Sequence, residues 1–154
     1  MKSCFFIGHR DTPPEVYPAL QAAVEQHIVE YGVTEFFVGN YGVFDRMAAR
    51  AVVAAKEKFP EVTLDMLLPY HPIECPVECP RGFDATFYPP GMENVPRRFA
   101  ILRANRYMVD NVDYLIAYAW HLVSNARELL QYAQRRRTVF TNLANEQGAL
   151  AHHL

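Results

Sequence analysis

Apolar residues fall along this chain in two rhythms that take turns: short unbroken runs, and longer stretches in which they recur every three or four positions. The first run, Cys4-Phe5-Phe6-Ile7, is cut off by Gly8, as expected of a strand buried on both faces of a parallel sheet. Beyond Pro13 and Pro14, residues Val16, Leu20, Val24, Ile28 and Tyr31 form a helical stripe that ends at Gly32, a residue suited to stop a helix. The unit then repeats. Glu35 to Val38 predicts a second strand and Gly39-Asn40-Tyr41-Gly42 a turn, while Phe44, Met47, Ala51, Val52, Ala55 and Phe59 mark the inner side of a second helix halted by Pro60.

Val62 to Leu68 predicts a third strand, and Pro69 to about Asn94 is a long proline-rich connection with room for a short strand at Ala85 to Tyr88. Connections of that length are usually functional or mobile. Pro96 suits the first turn of a helix running to about Asn111. Tyr114 to Tyr118 reads as the most buried strand, Asn125 to Arg136 as a helix with Ala126, Leu129, Leu130 and Ala133 inward, and Thr138 to Thr141 as a last strand. Strands alternating with amphipathic helices predict an α/β fold, a Rossmann-like three-layer α/β/α with a mostly parallel sheet. One domain is expected over residues 1–144, followed by a C-terminal tail at 145–154 in which His152 and His153 are solvated.

Composition narrows this picture. A chain of 154 residues can bury roughly two thirds of its unfolded surface. The formal net charge of -2 offers no overall field for a polyanion, which argues against nucleic acid as a partner. Met1, Lys2 and Ser3 lead into only four apolar residues, too short a run for a signal-peptide core or a membrane span, so a cytoplasmic setting is expected and no membrane partner. Cys4, Cys75 and Cys79 make no disulfide framework. Cys4 reads as a small core residue. His71, Cys75 and Cys79 invite comparison with zinc ligands, but they lack a clear fourth partner, and neither a metal nor a cofactor is expected.

In open α/β sheets ligands bind beyond the carboxyl ends of the strands, and the residues there are polar and glycine-rich. Strand one runs into Gly8-His9-Arg10-Asp11, where glycine admits close approach and arginine supplies a forked donor. Strand two ends in Gly39-Asn40-Tyr41-Gly42 and opens into a helix with Asp45 in its first turn, a place where free backbone N–H groups receive anions. The buried strand ends before Trp120 and His121, with Ser124 or Asn125 placed to cap the next helix. Trp120, Tyr70 and Tyr118 offer flat surfaces for a base. Three polar helix starts facing one crevice predict a nucleotide-sized pocket.

Several segments also resemble a family. Cys-Phe-Phe-Ile-Gly-His-Arg at 4–10, Val-Gly-Asn-Tyr-Gly-Val-Phe-Asp-Arg-Met-Ala-Ala at 38–49 and Arg-Tyr-Met-Val-Asp-Asn-Val-Asp-Tyr-Leu-Ile-Ala-Tyr at 106–118 resemble the SLOG superfamily of Smf/DprA-type and LOG-type Rossmann-like proteins, and within it the YpsA-like branch. The resemblance covers residues 4 to about 141. It implies a parallel sheet that binds a nucleotide or nucleotide derivative, often in a homo-oligomer. LOG-type members are phosphoribohydrolases with a Gly-Gly-x-Gly-Thr-x-x-Glu motif. The matching stretch here is His121-Leu122-Val123-Ser124-Asn125-Ala126-Arg127-Glu128, which lays Glu128 on the catalytic glutamate but lacks the glycines and the threonine.

The leading expectation is therefore a protein that binds a small nucleotide-like, ADP-ribose-like ligand as a sensor or scaffold. Its ligand-binding candidates are Gly8, His9, Arg10, Gly39, Asn40, Tyr41, Gly42, Asp45, Tyr70, Trp120, Ser124 and Asn125, with Arg103 and Arg106 as further cations. A nucleoside-monophosphate phosphoribohydrolase using Glu128 stands second, and a protein-interaction module without a ligand third.

Overall fold

The apolar run after Lys2 becomes the central strand of a parallel sheet. The structure, a computed structural model, describes residues 1–144; the expected tail at 145–154, with His152 and His153, lies outside the described residues. In chain order the elements are β1 (Lys2–Gly8), α1 (Tyr17–Val29), β2 (Val33–Val38), α2 (Val43–Lys58), β3 (Thr63–Leu67), β4 (Ala85–Phe87), α3 (Ala100–Asn111), β5 (Tyr114–Tyr118), α4 (Asn125–Arg136) and β6 (Val139–Asn142). Short 3-10 turns occupy Pro14–Val16, Met92–Asn94 and Arg97–Phe99. Pro96 keeps an extended backbone ahead of the last of these, so the α-helix proper begins at Ala100, later than Pro96 itself predicts.

Every strand pairing is parallel, and the strand order is β4-β3-β2-β1-β5-β6. The chain winds outward from β1 to β4, then returns to lay β5 against the other side of β1. That reversal between β1 and β5 is the topological switch point at which such sheets open a crevice. The sheet is a three-layer Rossmann-like α/β/α arrangement. On one face Phe6, Phe36, Val38, Leu64 and Ile116 meet Leu20, Val24, Phe44 and Val52 of α1 and α2. On the other, Phe5, Ile7, Leu115 and Ala117 meet Ala104, Met108, Leu129 and Leu130 of α3 and α4. Each large apolar side chain among these contributes about 1.5–3 kcal/mol when taken fully out of water.

Cover is uneven. The middles of β1 and β5 are buried on both faces. β2 and β3 mix buried and half-buried positions, and Phe37, an apolar residue of the second predicted strand, is only half-buried. The cause is the connection from β3 to β4. Leu68 to Asp84 carries no helix, so no helix from that crossover covers the outer face over Phe37 and Asp65, although Tyr70 packs against the same cluster. Lys56 pins the end of this connection by donating to the Gly82 carbonyl at 2.9 Å and pairing with Asp84 at 2.6 Å. Asp84 in turn accepts the Leu64 N–H at 2.8 Å.

Cys4 is fully buried, and burial pushes its thiol well up, as for a core residue. No helix among the described residues is long and apolar enough to cross a membrane.

Candidate functional site

The loops after β1, β2, β3 and β5 meet over the switch point and enclose a cavity of about 390 Å³, walled on its far side by Ile101, Ala104 and Asn105 of α3. β1 reaches it through Gly8, which has no room for a side chain: a Cβ there would run into the Phe44 ring. The next residues are held by hydrogen bonds. His9 Nε2 accepts the backbone N–H groups of Trp120 at 3.1 Å and His121 at 3.4 Å. The Arg10 carbonyl accepts the Val43 N–H at 2.8 Å. Thr12 donates its hydroxyl to the His9 carbonyl at 2.7 Å. Gly42 lies so close under this loop that its Cβ would stand 2.8 Å from the Arg10 Cα. The Arg10 backbone is thus clamped against the start of α2, while its side chain makes no ion pair among the described residues.

A backbone N–H can only donate, so His9 must present an unprotonated Nε2 and carry its proton on Nδ1. Burial, followed by the nearby His121, lowers the His9 pKa, with Asp11 opposing. Around it the rings of Tyr118, Trp120 and His121 stand edge-on at 5.8–5.9 Å. The Trp120 and His121 rings lie 4.1 Å apart at 30°, and Trp120 is 51% exposed. The same loop carries the exposed Leu122 and Val123.

The two helix starts at the crevice differ. At α4, Ser124 accepts the Arg127 N–H at 3.1 Å and donates to the His121 carbonyl at 3.2 Å, so its hydroxyl is occupied as a cap. At α2, Gly42 offers no side chain, and Asp45 turns back to accept the Tyr41 N–H at 3.0 Å. Burial raises the Asp45 pKa against the pull of that N–H and of Arg46. Burial also raises the Tyr41 pKa, with Tyr70 and Cys75 adding to it and Arg97 opposing.

Of the residues singled out from sequence, Gly8, His9 and Arg10 line the crevice from β1, Gly39, Tyr41, Gly42 and Asp45 from β2, and Ser124 and Asn125 from β5. Asn40 lines a neighbouring cavity along α2. Tyr70 lies under the Arg97 guanidinium at 4.7 Å, and Trp120 caps the aromatic cluster beside the crevice rather than its lining. Arg103 and Arg106 are not brought to the crevice. Both lie on the opposite side of α3, lining two outer cavities. Glu128 is exposed and outside the crevice lining. Among the described residues no group of three or more His, Cys, Asp or Glu is placed to hold a metal; His71 instead accepts the Ile73 N–H, and Arg97 reaches Cys75 Sγ at 3.5 Å.

Sequence reasoning missed Asn105 and Ile101 on α3, and above all Asn142. This buried amide accepts the Ala119 and Ala144 N–H groups at 3.1 and 3.2 Å and donates to the Ala119 carbonyl at 3.2 Å. It ties the end of β6 to the exit of β5. An asparagine at the carboxyl end of an otherwise apolar strand is the signal that could have found it.

Fold and crevice together define an α/β protein of Rossmann-like type with a candidate site at the switch point. The sequence matches no protein-family model and no curated protein. Among solved structures, the chain is similar to DNA processing protein A from Helicobacter pylori, described for its single-stranded DNA binding mode. The TM-score is 0.62 and the identity 14%, over 97% of this chain and 73% of that one. The likeness places the chain in the Rossmann-like fold that DNA processing protein A adopts.

Two expectations are corrected by that neighbour. The leading one, a small nucleotide-like ligand, and the exclusion of nucleic acid from the net charge both give way, because the similar fold belongs to a protein that engages a DNA strand. Neither alternative, hydrolase nor ligand-free interaction module, gains support. The physical error lies in using the whole-chain charge of -2. A strand meets one face only, and residues 97–106 hold four arginines and no acid, so local charge and net charge point opposite ways.

Proposed function

We propose that this chain binds single-stranded nucleic acid along the carboxyl edge of its sheet, at the crevice between β1 and β5. The observation that carries the reading is the half-exposed Trp120 ring, lying tilted against His121 and anchored through its backbone to His9, next in sequence to an Arg10 with no ion-pair partner among the described residues. An exposed aromatic platform next to free cations is what sequence-tolerant strand binding requires, since every base has a face to stack and every nucleotide a phosphate. Tyr41, exposed on the opposite lip, supplies a second ring. The likeness in fold to a single-stranded DNA-binding protein supports the same reading. In it Arg10 holds a phosphate, Trp120 and Tyr41 stack bases, and His9 positions the Trp120 loop. The quoted motifs further support placing the chain in the YpsA-like branch of the SLOG superfamily, as one homo-oligomeric domain over 1–144; its three free thiols suit the cytoplasm.

Trp120 is the sole tryptophan, so its emission reports stacking directly. Titration with an oligo-dT strand is expected to quench it, with affinity falling steeply as salt rises. Trp120→Ala should cost about 1–3 kcal/mol of binding, the usual value for one stacked base. Arg10→Ala should cost about 1.5–3 kcal/mol, that of a charge-assisted contact. Unchanged emission together with unchanged anisotropy of a labelled strand up to millimolar protein would end this reading.

A further inference from the structure

We infer that the strand does not stop at the crevice but crosses the start of α3 into an outer groove, where Arg103 and Arg106 hold its phosphates and Phe99 stacks a base. The inference rests on the strand-binding reading above and assigns it a second contact surface.

The helix α3 is a ridge with two different sides. Ala100, Ala104 and Met108 are buried beneath it, and Ile101 and Asn105 face the crevice. Phe99, Leu102, Arg103 and Arg106 fall at intervals of three, four and seven residues, which puts them on one face. That face is solvent-exposed, with Phe99 at 47% and Leu102 at 43%. Together with the turn at Gly91–Pro96 it encloses two adjoining cavities of about 450 and 290 Å³, and both are lined by Arg103 and Arg106.

Large apolar side chains left in water beside arginines are a poor arrangement for an idle surface, and a good one for a base and its phosphate. Among the described residues neither Arg103 nor Arg106 is paired with a carboxylate. The acid at the far end of the groove, Asp110, is already engaged by Arg136 at 2.8 Å and by the Tyr132 hydroxyl at 2.9 Å, so it does not cancel them.

The turn at Arg97–Phe99 has residues near both, Arg97 close to Tyr41 of the crevice and Phe99 lining the groove. Arg97 lies over Tyr70 at 4.7 Å and beside Cys75 at the lip of the crevice, and Arg98 stands over Phe99 at 4.9 Å. On this reading a backbone leaving Arg10 would pass Arg97, Arg98, Arg103 and Arg106, four arginines of a segment that holds no acidic residue, with exposed Glu93 in the flanking turn. Charge complementarity favours a polyanion over a second protein surface.

The test compares labelled oligo-dT strands of about 4 and about 16 nucleotides, the range over which strand-binding sites usually extend. Wild-type protein is expected to bind the longer strand at least tenfold more tightly. The double variant Arg103→Gln, Arg106→Gln should lose most of that gain and leave the short strand and the quenching of Trp120 unchanged. It should also flatten the salt dependence by about 1.4 in slope, about 0.7 for each phosphate deprived of its arginine. Phe99→Ala should lose part of the gain with no change in slope, and unfolding curves of both variants should match wild type because the replaced side chains are exposed. If the double variant binds both lengths like wild type while Arg10→Ala weakens both, the groove is refuted and the crevice reading survives. A shift of the variant in oligomeric state, with strand binding intact, would hand the groove to a second copy of the chain. Failure of the wild type to bind either strand would overturn both inferences.

Discussion

The two halves of the sheet are built to different standards. Around β1 and β5, strands are covered on both faces, and their exits are tied by His9 to the Trp120 loop and by Asn142 to Ala119. Around β3 and β4, one face lacks a crossover helix, Phe37 and Asp65 stay half-buried, and the far end of the long connection is pinned by Lys56 reaching Gly82 and Asp84. The difference separates a rigid seat for the crevice from a looser flank that carries its lip, since Tyr70 and Cys75 belong to the connection. On the proposed reading, precision is needed where backbone atoms present Arg10 and Trp120, and latitude is tolerable where a strand of varying sequence would pass.

The largest expected effect breaks the comparison most directly. Ile116→Ala removes a fully buried side chain of β5 and should cost about 2–5 kcal/mol. Phe37→Ala removes a larger side chain, yet one that already meets water, and should cost only about 1–2 kcal/mol, well below the roughly 3–5 of a fully buried phenylalanine. Chemical denaturation of both variants decides it. A Phe37→Ala loss equal to or above that of Ile116→Ala would mean the β3–β4 half is as well covered as the other.

This asymmetry was partly legible in the sequence. Tyr114 to Tyr118 and Cys4 to Ile7 are unbroken apolar runs, and both proved buried on both faces. In Thr63-Leu64-Asp65-Met66-Leu67 polar and apolar residues alternate, the sign of a strand with one open face, although the expectation for Val62 to Leu68 went no further than a strand. The crevice was legible because it follows from strand order and from residues next to strand ends, so Gly8, Arg10, Gly39 and Ser124 came together as expected. Arg103 and Arg106 were misplaced because a helix has sides, and which side faces the crevice depends on packing: Ala104 and Met108 turn inward and carry the arginines away. The exclusion of nucleic acid failed because a net charge averages over faces that a ligand never meets.

A middle-sized effect contrasts the anchors of the two halves. Asn142→Ala strips hydrogen bonds from the buried N–H and C=O of Ala119, and each group left unsatisfied costs about 1–3 kcal/mol. Lys56→Ala breaks a partly exposed ion pair, worth about 0.2–1 kcal/mol after solvent screening. Asn142→Ala is accordingly expected to lower the melting temperature clearly and to weaken strand binding, by loosening the Trp120 loop. Lys56→Ala should leave the melting temperature nearly unchanged but speed proteolytic cleavage within 68–84. Cleavage patterns that do not differ between the two variants would remove the distinction between the anchors.

The smallest effect is one of acidity, and it tests the rigid half at a single atom. His9 is lowered below the ordinary histidine value by burial and by His121, with Asp11 opposing. His27 is lowered as well, by its burial against Tyr31 and Tyr114, with the hydrogen bond to the Ala23 carbonyl opposing. For either group the unfolded chain binds the proton more readily than the folded one. Stability therefore rises with pH through this range, is fully present above about 6.5, and is lost as the pH falls below it. The two histidines act in different places. Protonation of His27 strains only the packing of α1 on β5, whereas a proton on His9 Nε2 would face the Trp120 and His121 N–H groups that now point at it, and must release that loop. Acidification from pH 7.5 toward about 5 is therefore expected to shift Trp120 emission before global unfolding, and to weaken strand binding over the same interval. In His9→Gln the early emission change should vanish, while in His27→Gln it should persist and only the later, global transition should move. An emission change that follows far-UV ellipticity at every pH would show that the loop has no acid response of its own.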